Sequence, residues 1–167
     1  MTVDAQYTLK LKAIETLNNN RDLSTPTDGE YVHEIPGSFG TATSATTPAI
    51  SAVWSKTVTL SSGAATIDLT ALDNGDLTNL DFTATKIYYC HVKARTTNTA
   101  LISLGTGATN GYPFPGIGAS DTFDVGAGNE ALFRMPVSTA VSSTVKTIDA
   151  ASSDVDAIFD IVITVGA

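Results

Sequence analysis

At 167 residues, 43% hydrophobic and 16% charged, the chain has the size and composition of one domain with a packed core that needs no metal or disulfide staple. A net charge of −8 withholds the basic footprint that a phosphate backbone requires, which excludes DNA-packaging and replication roles and argues against contact with anionic membranes. The single cysteine excludes an internal disulfide framework.

In chain order, residues 1–20 read as a mixed start. Tyr7, Leu11, Ile14 and Leu17 recur at spacings that suit one face of a short helix. Leu9 and Leu11 also alternate, so helix and strand both stay open up to Asn18, Asn19 and Asn20. No apolar run here has signal-peptide length, and none anywhere approaches a membrane span. The expectation is a chain made in a cytoplasm and kept there until it is assembled or released. Residues 21–50 read as an irregular arm, punctuated by Pro26, Gly29, Pro36, Gly37, Gly40 and Pro48, with a small-polar and alanine run over 41–47. A structureless stretch of that length suits an N-terminal extension better than a loop inside a domain. Fully extended, it would reach about 100 Å at roughly 3.3–3.6 Å per residue, enough to lie over a neighbouring subunit.

Residues 51–167 hold the strands. Short alternating runs are expected at 53–60, 64–69, 86–95, 100–104, 122–125, 131–137, 145–149 and 157–165. In the last of them Phe159, Ile161, Ile163 and Val165 fall on one side and Asp160, Val162 and Thr164 on the other. Turn signals separate the runs: Ser61-Ser62-Gly63, Asp73-Asn74-Gly75-Asp76, Gly105-Thr106-Gly107, Asn110-Gly111 and Gly126-Ala127-Gly128-Asn129. The expected fold is all-β: a jelly-roll-like β-sandwich of about eight antiparallel strands, with an extended N-terminal arm or short helix in front. Residues 1–50 form the N-terminal segment and arm, and residues 51–167 the β-sandwich domain.

Chemistry is sparse. Cys90 shares a strand face with Tyr88, Val92 and Ala94, which reads as a buried structural thiol, with His91 turned to the opposite side. Gly105-x-Gly107-x-x-Asn110 lacks the third glycine and the following helix of a dinucleotide fingerprint, and reads as a turn. Asp73, Asn74, Asp76 and nearby Asp81 offer oxygen ligands but lack the spacing and closing Glu of an EF-hand loop. Pro36-Gly37-Ser38-Phe39-Gly40 is no nucleophile elbow, because proline stands where the first glycine belongs. His91, Lys93 and Arg95 make the densest basic stripe. It is either a solvated outer face or a contact strip for an acidic partner, such as the arm residues Asp22, Asp28, Glu30 and Glu34 of a neighbouring copy. Tyr112-Pro113-Phe114-Pro115-Gly116 either fills a partner's pocket or plugs an end of the sandwich.

The opening Thr2-Val3-Asp4-Ala5-Gln6 resembles the start of small cement proteins of tailed bacteriophages. The strand-rich body, with Thr109-Asn110-Gly111-Tyr112 and the closing Asp160-Ile161-Val162-Ile163-Thr164-Val165, is similar to small β-sandwich proteins of phage virions. The resemblance implies a jelly roll that forms homo-oligomers, often trimers, on the capsid exterior. It implies the major capsid protein as partner, with no catalytic residues, metal or cofactor. The expected function is a structural virion protein that decorates and stabilises the capsid by bridging neighbouring capsomers. A carbohydrate- or receptor-binding module, such as a head-fibre component, is the alternative, with Trp54, Tyr112 and Phe114 as its aromatic platform. An enzyme is not expected, given the few His and Cys and the absence of clustered carboxylates.

Overall fold

The closing segment sets the pattern of the body. Phe159, Ile161, Ile163 and Val165 are buried, while Asp160 and Val162 between them reach the outer face. Successive side chains of an extended chain point to opposite sides, so this alternation gives one face to the core and one to solvent.

The structure, a computed structural model, describes residues 4–5, 11–17, 29–35, 42–43, 50–73, 79–113, 121–134 and 139–166. Four strands precede the body: β1 (Asp4–Ala5), β2 (Leu11–Leu17), β3 (Gly29–Ile35) and β4 (Ala42–Thr43). The body contains β5 (Ile50–Thr59), β6 (Ala64–Asp68), β7 (Leu72–Asp73), β8 (Asn79–Leu80), β9 (Lys86–Ala94) and β10 (Ile102–Thr106). It continues with β11 (Thr122–Val125), β12 (Glu130–Arg134), β13 (Thr147–Ala151) and β14 (Ile158–Gly166).

Eight of these strands build a β-sandwich of two antiparallel sheets, ordered β11-β10-β13-β6 and β12-β9-β14-β5. Within these sheets β5 pairs with β14, β6 with β13, β9 with β12 and β10 with β11. The first strand of the eight thus pairs with the last, the second with the next to last, and so inward. A long hairpin folded over on itself gives this nested pairing. The inner faces share one core that includes Trp54, Ile67, Val92, Leu104, Ile148, Phe159 and Ile161. Each such fully buried side chain contributes about 1.5–3 kcal/mol of apolar transfer.

Connecting segments close the two ends. At one end Leu60 N–H donates to the Ala157 carbonyl, Gly63 N–H to Val155 and Gly128 N–H to Arg95, which ties four turns together. Gly63 is required there: its φ is +77°, and an added Cβ would sit 2.5 Å from the Ser152 carbonyl oxygen. At the other end Leu69, Leu72, Phe82, Tyr112 and Val141 join the core from the connections.

All eight strands expected in residues 51–167 are present, with ends displaced by a few residues. The N-terminal segment, residues 1–50, differs from expectation. The choice left open over residues 1–20 falls to strand, since Leu11–Leu17 is β2. The irregular arm expected over 21–50 contains β3, which pairs antiparallel with β2 from Leu11↔Ile35 to Leu17↔Gly29, and β4, which pairs with β1. Tyr31, Val32 and Ile35 are strand formers, and the Pro and Gly residues on either side of them obscured the alternation.

Candidate functional site

The basic stripe lies on the outer face of the β12-β9-β14-β5 sheet, and its acidic counterparts come from the same chain. Register sets Lys93 between Asp160 of β14 and Glu130 of β12. Arg95 Nη2 is 2.7 Å from Asp160 Oδ1, and His91 Nε2 is 3.2 Å from Glu130 Oε2. Thr57 Oγ1 donates to Asp160 at 2.6 Å. That hydrogen bond, with Arg95 behind it, outweighs slight burial and holds the Asp160 carboxyl below its ordinary pKa. Of the two readings of the stripe, this geometry favours the solvated outer face, where cross-strand charge pairs are worth at most about 1 kcal/mol each.

Cys90 is fully buried, as the alternation predicts, and burial pushes its thiol up to about 12. A group so reluctant to ionise is no nucleophile at neutral pH. His91 lies on the other face, as expected. A register shift between Thr164 and Val165 disturbs the alternation beyond Cys90, setting Thr164 opposite Tyr89 but Val165 opposite Ile87. Such a bulge takes backbone groups out of the ladder. Thr164 Oγ1 accepts from Tyr89 N–H at 3.1 Å, and Tyr112 Oη accepts from Ile87 N–H at 3.2 Å while donating to the Thr139 carbonyl at 2.9 Å.

Tyr112 is therefore an internal plug, only 3% exposed, and burial raises its phenol pKa. Trp54 is also 3% exposed, with Nε1 donating to the Asp73 carbonyl at 2.9 Å. Two members of the aromatic platform are thus core residues and offer no open stacking surface; the third, Phe114, lies outside the described residues. Gly107 and Asn110 form the expected turn. Asn110 adopts φ +55°, its carbonyl accepts from Lys146 and Thr147 N–H, and an added Cβ on Gly107 would collide with Thr147.

Several of the described carboxylates are engaged in ties within the chain. Asp81 accepts from Thr83 N–H and Oγ1, Asp154 from Thr99 N–H, and Asp149 from Thr66 Oγ1 and Ala108 N–H. Asn74, Gly75 and Asp76 lie outside the described residues. Among the described residues, no three His, Cys, Asp or Glu converge as metal ligands, and no buried polar side-chain atom lacks a partner.

Sequence reasoning missed two features. Where β5 and β6 end their sheets, a groove of about 260 Å³ opens, lined by Trp54, Lys56, Val58, Asp68 and Asp73. Lys56 bridges to Asp73 at 2.7 Å, and Lys146 reaches Asp68 at 2.6 Å. Alternation does point to the first of these pairs, because Lys56 takes an inward position between Trp54 and Val58; an inward charge is one way to blunt a sheet edge. Where β11 and β12 end the sheets, Phe123 and Phe133 stack edge to face with centroids 4.6 Å apart. No family model matches the chain, and no curated protein matches it either.

Proposed function

We propose that this is a structural virion protein: a jelly-roll cement subunit that decorates the exterior of a tailed-phage capsid, assembles as a homotrimer and bridges neighbouring copies of the major capsid protein. The nested pairing of eight antiparallel strands supports the jelly-roll reading, since two Greek keys in two sheets give that order. The observation that carries the functional reading is the internal use of the polar groups. Several of the described carboxylates close turns or pair across strands, Cys90 is fully buried, and Trp54 and Tyr112 are each only 3% exposed. A rigid body of this kind suits a role that depends on shape and repeated contact, because many weak attachments to one particle gain strength together.

Cosedimentation with expanded capsids of the encoding phage tests the proposal. The protein should bind at saturable stoichiometry and raise capsid resistance to heat or chelators. Failure to bind any such capsid would end it.

A further inference from the structure

We propose that two copies of this chain join edge to edge about a twofold axis, β12 of one pairing antiparallel with β12 of the other and Leu132 at the centre. This goes beyond the capsid reading and does not depend on it; a threefold cluster on a capsid uses a separate contact.

The outermost described strands of the two sheets are β5, β6, β11 and β12. Three of them carry a single charge each: Lys56 in β5, Asp68 in β6 and Asp124 in β11. None of these can set opposite charges against its own copy. β12, Glu130-Ala131-Leu132-Phe133-Arg134, has an acid at one end and a base at the other. Antiparallel pairing centred on Leu132 sets Glu130 of each copy against Arg134 of its partner. Edge charges ordinarily keep the strands of separate copies apart, whereas opposite charges directly across a ladder attract.

The backbone agrees with that register. Ala94 N–H donates to the Asn129 carbonyl at 3.0 Å, while Arg95 N–H turns the other way, to the Ile158 carbonyl at 3.0 Å. Bonded and non-bonded pairs alternate along an antiparallel ladder. With Ala131 opposite Val92 and Phe133 opposite Cys90, the N–H and C=O groups of Ala131 and Phe133 therefore face β9, and those of Glu130, Leu132 and Arg134 face outward. Among the described residues, no strand lies beyond β12 and no backbone hydrogen bond occupies these outward groups. Centring on Leu132 gives every one of them a partner.

The side chains are placed to follow. Glu130 and Arg134 are exposed on the outer face of the sheet, and Arg134 enters no ion pair among the described residues. Glu130 meets His91 through Oε2 at 3.2 Å, which leaves Oε1 for a guanidinium. A twofold axis normal to the sheet keeps both second layers on the same side. Phe123, 38% exposed and stacked on Phe133 at this edge, then faces its counterpart. A patch used identically by both copies closes at two.

Sedimentation of the full chain without capsids tests this. The contact is one strand wide, so self-association on the order of 100 μM is expected. Glu130→Arg alone or Arg134→Glu alone sets like charges at both pairs and should weaken it by about tenfold or more. Unchanged melting of each variant separates a lost contact from a lost fold. Mixed in equal amounts, the two variants regain opposite charges at both pairs and should associate with each other as the wild type does with itself. A wild type with no association at about 1 mM, single variants that associate as the wild type does, or a mixture that stays dissociated would each overturn the proposal.

Discussion

Replacing Tyr112 with Phe removes one oxygen and leaves the ring in place, so it isolates the hydroxyl that serves the bulge. Ile87 N–H loses its acceptor 3.2 Å away, and the Thr139 carbonyl loses its donor at 2.9 Å. Ile87 is fully buried, so its N–H cannot turn to solvent; Thr139 is half-buried, and its carbonyl can. An orphaned buried backbone group costs about 1–3 kcal/mol, and the Ile87 amide accounts for most of the loss. For a domain of this size, that lowers Tm by about 2–4 °C per kcal/mol, or about 2–12 °C in all. Urea unfolding followed by the fluorescence of Trp54, the sole tryptophan, reads the change as a shift in midpoint at constant slope. A Tyr112→Phe protein within about 0.5 kcal/mol of wild type would refute the role given to the hydroxyl.

Gly63→Ala should cost more than about 1 kcal/mol in the same assay, because the position combines positive φ with the close Ser152 carbonyl. At alkaline pH the folded protein retains the Cys90 proton up to about 12, whereas an unfolded thiol releases it near 9. This contribution to stability is therefore complete below about pH 9 and declines as pH rises toward 12; Cys90→Ala should flatten the decline in Tm between those values. In acid the sign reverses. Burial acts to raise the Asp68 carboxyl, but hydrogen bonds from Lys146 and Thr70 outweigh it, so Asp68, like Asp160, is held below its ordinary pKa. The stability from these pairs is present above about pH 4 and lost as pH falls through the folded values; Lys146→Met with Asp160→Asn should make Tm less sensitive to acid.

The body of the fold was legible because burial and period agree there: Phe159, Ile161 and Ile163 are buried and alternate with the half-buried Ile158, Asp160 and Val162, and Gly63, Asn110 and Gly128 mark turns at positive φ. Residues 11–17 and 29–35 were harder to read. Leu11, Ile14 and Leu17 fit a helical spacing as well as a strand, and only the pairing of β2 with β3, a contact distant in sequence, decides between them. The bulge opposite Thr164 was invisible for the same reason, since nothing local in Ile87-Tyr88-Tyr89 announces it. Aromatic residues were the least legible part of the candidate site. Trp54 and Tyr112 have the composition of a binding platform, and their burial depends on a strand neighbour and on a connection far along the chain.

The proposed capsid role is decided by electron cryomicroscopy of particles of the phage that encodes the chain. If the proposal holds, a two-sheet body appears as density in threefold clusters across junctions between capsomers on the outer shell. Shells bare at every junction, with the polypeptide absent from purified particles, would contradict it.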